Sequence, residues 1–154
     1  MFIIFNRSFR SFYIIRIYEK GKTICKINQS KTLQDSINIA VAIYNEKEFK
    51  AVSGQYELDD YCIAMNKEDT AFESYKVNRL GELGSGYDRF YDSEKKILER
   101  IHKQIEEKEL DDKGKLVIYS RWEPCPSCYY VISQFCKAHP EIKVNIKFDK
   151  AYGK

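Results

Sequence analysis

The sequence is poor in residues that break regular structure, with three prolines and seven glycines, and it carries only two histidines. With 44% apolar and 32% charged side chains, that scarcity excludes a disordered or linker-rich chain. No hydrophobic run is long enough to cross a bilayer. Met1 to Phe5 is apolar, but Asn6, Arg7, Arg10 and Arg16 interrupt the N-terminal stretch well short of the roughly 18 residues that a span needs, and they spoil a signal-peptide core as well. A strong charge of either sign is also missing, since 26 Lys and Arg stand against 23 Asp and Glu. Such a balance permits an anionic partner without demanding one, so nucleic-acid binding has to be argued from a site. An even, dense set of cysteines is lacking too: the five, at 25, 62, 125, 128 and 136, include one close pair, which argues against a secreted disulfide scaffold and for reduced thiols. The segment from Gly81 to Phe90 holds three of the seven glycines and marks a loop, yet it matches no phosphate-binding fingerprint.

What is present suits one α/β domain spanning residues 1–154, with residues 1–30 as an N-terminal hairpin extension and 31–150 as the core. Phe12 to Tyr18 and Lys22 to Ile27 are β-rich runs flanking Glu19-Lys20-Gly21, which predicts a hairpin. Its aromatic and basic residues could suit single-stranded nucleic acid, but ordinary strand residues at the edge of a sheet are the favoured reading. Leu33, Ile37, Ala40, Val41 and Tyr44 recur at a helical period, with Ser30 or Thr32 to cap, and predict a first helix. Ala51 to Leu58 and Ala71 to Val77 are strand candidates, and Cys62 between them reads as a small buried hydrophobe. A second helix over about Ser93 to Glu107 buries Ile97, Leu98, Ile101 and Ile105. Lys115 to Tyr119 then predicts a buried strand. A third helix follows with Cys128, Val131, Ile132 and Phe135 on one face, closed by His139-Pro140, and Ile142 to Phe148 alternates as a last strand.

Two stretches carry chemistry. Trp122-Glu123-Pro124-Cys125-Pro126-Ser127-Cys128 places two thiols two residues apart at the entrance to a helix, a spacing that lets both bind one metal ion. The pair could also be a redox couple or half of a structural zinc site, although no second cysteine pair exists to complete four thiolates. Asp92-Ser93-Glu94 opens the preceding helix, where Asp92 could equally serve as a cap and Glu94 as a complement to the helix dipole. The histidines are poor substitutes for any of these groups. His102 lies about 12 Å along its helix from Glu94, and His139 about 16 Å beyond Cys128, so both read as surface or helix-end residues.

A potential oxygen ligand, a glutamate two residues later and a downstream Pro-Cys-x-x-Cys together resemble the signature of the zinc nucleobase deaminases, with Asp92 where that signature has histidine. Beyond these motifs, Gly84-Ser85-Gly86-Tyr87, Phe90 to Leu98, Val131 to Phe135 and the strand after His139-Pro140 make the stretch from Gly81 to Phe148 similar to the bacterial polymorphic-toxin deaminases of the cytidine deaminase-like superfamily. The resemblance implies a three-layer α/β/α fold with a mixed sheet of about five strands. It implies Zn2+ held by Asp92, Cys125 and Cys128, with Glu94 as the proton shuttle, and hydrolytic deamination of cytosine to uracil in nucleic acid, single-stranded DNA first. Tyr87, Arg89, Phe90, Ser120, Arg121, Trp122 and Pro124 become candidates to contact substrate, the aromatics by stacking and the arginines at phosphates, although each also has an ordinary role in packing or on a charged surface. The aspartate adds a negative charge that histidine would not, which makes a bound water less acidic. The resemblance further implies a monomeric toxin portion of a secreted effector, acting in the cytoplasm of a target bacterium, neutralised by a cognate immunity protein and without membrane contact. Competing expectations are a deaminase acting on double-stranded DNA, RNA or a free nucleotide, a catalytically degenerate zinc-stabilised binding module, and a thiol redox protein.

Overall fold

Residues 114–122 and 142–150 are β-rich stretches bracketing an amphipathic helix, and they form the centre of the domain. The computed structural model describes residues 2–8, 11–17 and 37–152. In chain order these form β1 (Phe2–Ser8), β2 (Ser11–Ile17), β3 (Ile39–Tyr44), β4 (Lys47–Val52), a single 3-10 turn (Lys67–Asp69), β5 (Lys76–Val77), β6 (Tyr87–Asp88), α1 (Ser93–Glu106), β7 (Gly114–Trp122), α2 (Pro126–Ala138) and β8 (Ile142–Lys150). The main sheet has six strands in the order β2-β1-β8-β7-β3-β4. It is mixed: β7 and β8 run parallel, joined through α2, while the other pairings are antiparallel. β5 and β6 form a separate two-stranded ribbon.

One face of the sheet presents Ala40, Ala42, Tyr44, Leu116, Ile118, Val144 and Ile146 to the helices, and all seven are inaccessible to solvent. Ile97, Leu98 and Ile101 from α1 and Val131, Ile132 and Phe135 from α2 fill the space between. Each such large side chain contributes about 1.5–3 kcal/mol on burial. Cys62 joins this core as a small hydrophobe, and burial pushes its thiol above the ordinary value. Ile39 and Val41 point to the opposite face and are buried as well, so β3 is buried on both sides.

That double burial explains the largest difference from the sequence reading. Ile39 to Tyr44 is a strand rather than part of a helix. Its continuous apolar run has no period of its own, and the helical match came from residues that a two-sided strand buries anyway. Asn45 and Glu46 then turn the chain with φ of 46° and 74°, the left-handed pair of a two-residue hairpin. Gly114, at the start of β7, keeps this turn in place. A Cβ there would lie 2.0 Å from Asn45 Oδ1, the atom that accepts the Lys115 amide. Residues 30–36, including the proposed caps, lie outside the described residues.

The hairpin also differs. β2 pairs with β1, Phe2 opposite Ile17, and β1 adds to β8, leaving β2 at the sheet edge. The run from Lys22 to Ile27 and its turn at Glu19-Lys20-Gly21 lie outside the described residues. Of the two candidate strands in the middle of the chain, only Ala51-Val52 and Lys76-Val77 are extended pairs.

Between β4 and α1 the chain runs through a long connection whose stretch from Ala71 to Tyr75 is held by helix side chains rather than by a strand partner. Glu99 accepts from the Ala71 and Phe72 amides at 2.9 Å each, the Gln134 carbonyl oxygen accepts from the Glu73 amide, and Ser127 Oγ accepts from the Tyr75 amide. Lys95, buried with Glu99 at 2.8 Å, donates to the Phe72 carbonyl. Lys96 donates to the Val52 and Gly54 carbonyls at 2.7 and 2.6 Å. Charged residues on the inner face of α1 thus replace a ladder, and they deliver Val77 onto the two cysteines.

Candidate metal centre

The site lies where α1 and α2 begin, beside the C-terminal end of β7. Asp92 occupies the N-cap position of α1, but its side chain makes no capping hydrogen bond. Its Oδ2 lies 3.4 Å from Cys125 Sγ and 3.2 Å from Cys128 Sγ. The capping alternative therefore does not describe this carboxylate. Cys125 is itself the N-cap of α2, with Pro126 in the first turn, and its sulfur accepts from the Cys128 amide at 3.4 Å. One turn of helix therefore brings both sulfurs to the same side.

The three donor atoms all lie within 4.8 Å of one another. Tetrahedral zinc with sulfur and oxygen ligands at usual bond lengths sets sulfur-to-oxygen edges of about 3.6 Å. The two observed sulfur-to-oxygen distances come close to that edge. Two thiolates and a carboxylate are also a donor set that zinc accepts, with a fourth position left over. The residues fit the ion.

Charge points the same way. Burial, then the neighbouring Glu94, pushes the Asp92 carboxyl up to about 6. The Cys128 thiol is raised well above its ordinary value by its hydrogen bond with Cys125, then by burial and by the Asp92 and Glu94 charges. Anionic ligands are crowded here in a dry place, and a bound dication reverses that penalty.

Glu94 is 1% exposed and stands at the inner wall, its Oε2 3.6 Å from Cys128 Sγ. Its other contacts are neutral donors. Asn38 Nδ2 and Ser120 Oγ donate to Oε1 at 2.9 and 2.8 Å, and Ser93 Oγ donates to Oε2 at 3.0 Å. Asn38 ties this cradle together, because its Oδ1 accepts the Trp122 amide at 2.9 Å and its backbone carbonyl accepts the Ser53 amide. Ser53 Oγ in turn accepts from the Ser93 amide. Asn38 and Ser53 carried no signal in the sequence: both are single polar residues at strand ends, more than 35 positions from Glu94.

The other anticipated residues are scattered around this centre. Ser120 is buried against Glu94, and Trp122 is half-buried with Lys150 Nζ 4.9 Å from its ring. Arg121 is half-buried near the end of β7, and Pro124 is buried on the segment linking β7 to α2. Tyr87 is 62% exposed on β6, with the Arg89 guanidinium 5.9 Å from its ring. Phe90 is buried, with the Lys67 and Lys95 ammonium groups 5.2 and 5.3 Å from its ring, so little of its face is open. Arg89 turns inward, its Nη1 3.9 Å from Asp92 Oδ1. The two histidines meet each other rather than this centre, with His139 at the C-cap of α2, the helix-end place expected of it. His139 is buried, its Nε2 is 2.8 Å from His102 Nδ1, and its Nδ1 meets Asp112.

No helix among the described residues is long and apolar enough to cross a membrane. Neither a curated protein nor a solved structure matches the chain. A family model does: the Toxin-deaminase family, described as the BURPS668_1122 family of deaminases, matches residues 22–150. That span takes in the sheet from β3 to β8, both helices and every residue of the centre, and its members are deaminases, for which a cytidine deaminase-like fold and hydrolytic loss of an amine are the common ground. The chain belongs to the Toxin-deaminase family.

Proposed function

We propose that this domain is a zinc-dependent cytosine deaminase that converts cytosine to uracil in nucleic acid, with single-stranded DNA as its first substrate. The observation that carries the reading is the meeting of Asp92 Oδ2 with both sulfurs while Glu94 Oε2 stands 3.6 Å from Cys128 Sγ. Asp92, Cys125 and Cys128 would hold Zn2+, which when bound supplies a water acidic enough to attack near neutral pH. Glu94 takes a proton from the attacking water as it adds to C4 and gives it to N3 of the base, then carries the remaining hydroxyl proton to the amino nitrogen, which leaves as ammonia. The cradle of Asn38, Ser93 and Ser120 fixes the carboxylate while it does so. A buried carboxylate with three neutral donors stays oriented without being neutralised by a cation.

Attack at C4 needs an unstacked base, which an unpaired strand offers without the cost of flipping. Tyr87 and Trp122 would stack on the base or its neighbours, and Arg121 would meet a phosphate. Family membership supports a toxin role; we further propose a monomeric effector domain, secreted to act inside a target bacterium, without membrane contact and restrained by an immunity protein.

Labelled single- and double-stranded oligonucleotides, RNA and free nucleosides incubated with the purified protein test the reading. Uracil is expected, first in single-stranded DNA. Absence of product on every substrate would refute it.

A further inference from the structure

The centre uses an aspartate where the deaminase signature has a neutral histidine, and the structure holds a compensating charge directly behind it. Two thiolates, Asp92 and Glu94 carry four negative charges against the two positive charges of zinc. The histidine form of the signature carries one fewer. An extra buried negative charge weakens the case for keeping all ligands ionised, unless a cation stands close.

Arg89 is that cation. It lies three residues before Asp92, with Nη1 3.9 Å from Oδ1, the oxygen turned away from the sulfurs. Both side chains are mostly buried, at 22% and 15% exposure. Hydrogen bonding does not account for the guanidinium being there. Its Nη2 reaches the Val77 carbonyl and the Tyr152 hydroxyl only at 3.4 Å each, and its Nε is buried without a partner among the described residues. Burial opposes its charge, but Asp92, Cys125, Tyr152 and Cys128 outweigh that and hold it above its ordinary value. Tyr152 is in turn fixed by its hydroxyl donating to the Asn78 carbonyl at 2.6 Å and by its backbone N–H donating to Glu123 Oε2 at 3.0 Å. Val77, which supplies the carbonyl, packs on the two cysteines.

We infer that Arg89, steadied by Tyr152, is a positioning residue for the metal centre: it leaves Asp92 Oδ2 to the ion by holding Oδ1, and it offsets the charge that aspartate brings. This rests on the zinc reading above. It assigns Arg89 to the ligand set rather than to substrate phosphates. A partner of a metal ligand commonly changes metal affinity by about 10–100-fold, so the effect is measurable without turnover.

The test is zinc affinity by chelator competition, with the visible spectrum of the Co2+-loaded protein as a second readout, for wild type, Arg89→Met and Arg89→Lys, each with Asp92 and with Asp92→His. Arg89→Met should weaken zinc binding by about 10-fold or more and shift the Co2+ spectrum, because Asp92 loses its fixed orientation. Arg89→Lys should restore most of the affinity, since the charge rather than the fork is needed. In the Asp92→His background, Arg89→Met should cost nothing. Unchanged affinity in Arg89→Met, or an equal loss in both backgrounds, would overturn the inference and leave the zinc site standing. A wild-type protein that takes up no zinc, or takes up as much after Cys125→Ser, would overturn the zinc reading and this inference with it. If Arg89→Met fails to fold, Tyr152→Phe decides: a loss of affinity confined to the Asp92 form supports the inference, and no loss, or the same loss in both forms, overturns it.

Discussion

The two halves of the centre handle buried negative charge in opposite ways. Glu94 is surrounded by uncharged donors, Asn38, Ser93 and Ser120, at 2.8 to 3.0 Å. Asp92, Cys125 and Cys128 face one another, and among the described residues the cation beside them is Arg89, at 3.9 Å from Asp92. The first half is complete as a hydrogen-bonded unit. The second is short of positive charge, which is why burial and Glu94 drive the Asp92 carboxyl up to about 6. A group that must move protons needs fixed, neutral neighbours. Groups that must bind an ion keep most of their charge for it, and Arg89 offsets only the one that aspartate adds.

Substitutions on each side should therefore separate cleanly. The largest effect belongs to Glu94→Ala: turnover should fall by at least about 10²–10⁴-fold, the usual worth of a general acid-base group, with zinc content and the circular dichroism spectrum unchanged. A binding module would be indifferent to this change in every assay. Cys125→Ser should act on the other half, losing zinc and activity together, and a reversible Cys125–Cys128 disulfide in a metal-free active protein would instead mean that the pair is redox chemistry. Asn38→Ala should lower kcat by about 10–100-fold by loosening Glu94, again with zinc retained, read from steady-state kinetics alongside metal analysis.

The pH behaviour of the zinc-free protein sharpens the contrast. The folded-state value of Asp92, about 6, lies above its ordinary 3.8, so between these the folded chain holds a proton that the unfolded chain has lost. This contribution to stability is greatest below about 4 and is lost as pH rises through 6. Denaturant titrations of the chelated protein across that window should show the loss, and Asp92→Asn should flatten it. The smaller effects concern the scaffold. Lys95→Met leaves Glu99 buried without its 2.8 Å partner and should destabilise the domain by about 3 kcal/mol, whereas Lys103→Ala breaks an exposed pair at 3.9 Å and should change stability by less than about 0.5 kcal/mol.

The same contrast separates what the sequence made legible from what it hid. Asp92, Glu94, Cys125 and Cys128 sit in short, local motifs at the starts of strongly periodic helices, so their resemblance to the deaminase signature could single them out, and periodicity made α1, β7, α2 and β8 legible. Asn38 and Ser53 reach the site only because β3 pairs with β7 and β4 with β3, and the first of these pairings joins residues about 80 positions apart. The sequence pattern around Ile39 to Tyr44 even favoured a helix, because a strand buried on both faces shows no alternation. The connection from Ala71 to Val77 was misjudged for a related reason. Its amides are satisfied by Glu99, Gln134 and Ser127 side chains, a form of pairing that leaves no periodic trace. Arg89 and Tyr152 approach Asp92 through tertiary packing of a loop and the end of the chain.

Zinc K-edge X-ray absorption on the purified protein tests the centre most directly. The account predicts one ion with two sulfur neighbours at about 2.3 Å and two oxygen neighbours at about 2.0 Å, one of the latter lost in Asp92→Ala. Protein that purifies without zinc, or an ion whose shell contains no sulfur, would contradict it.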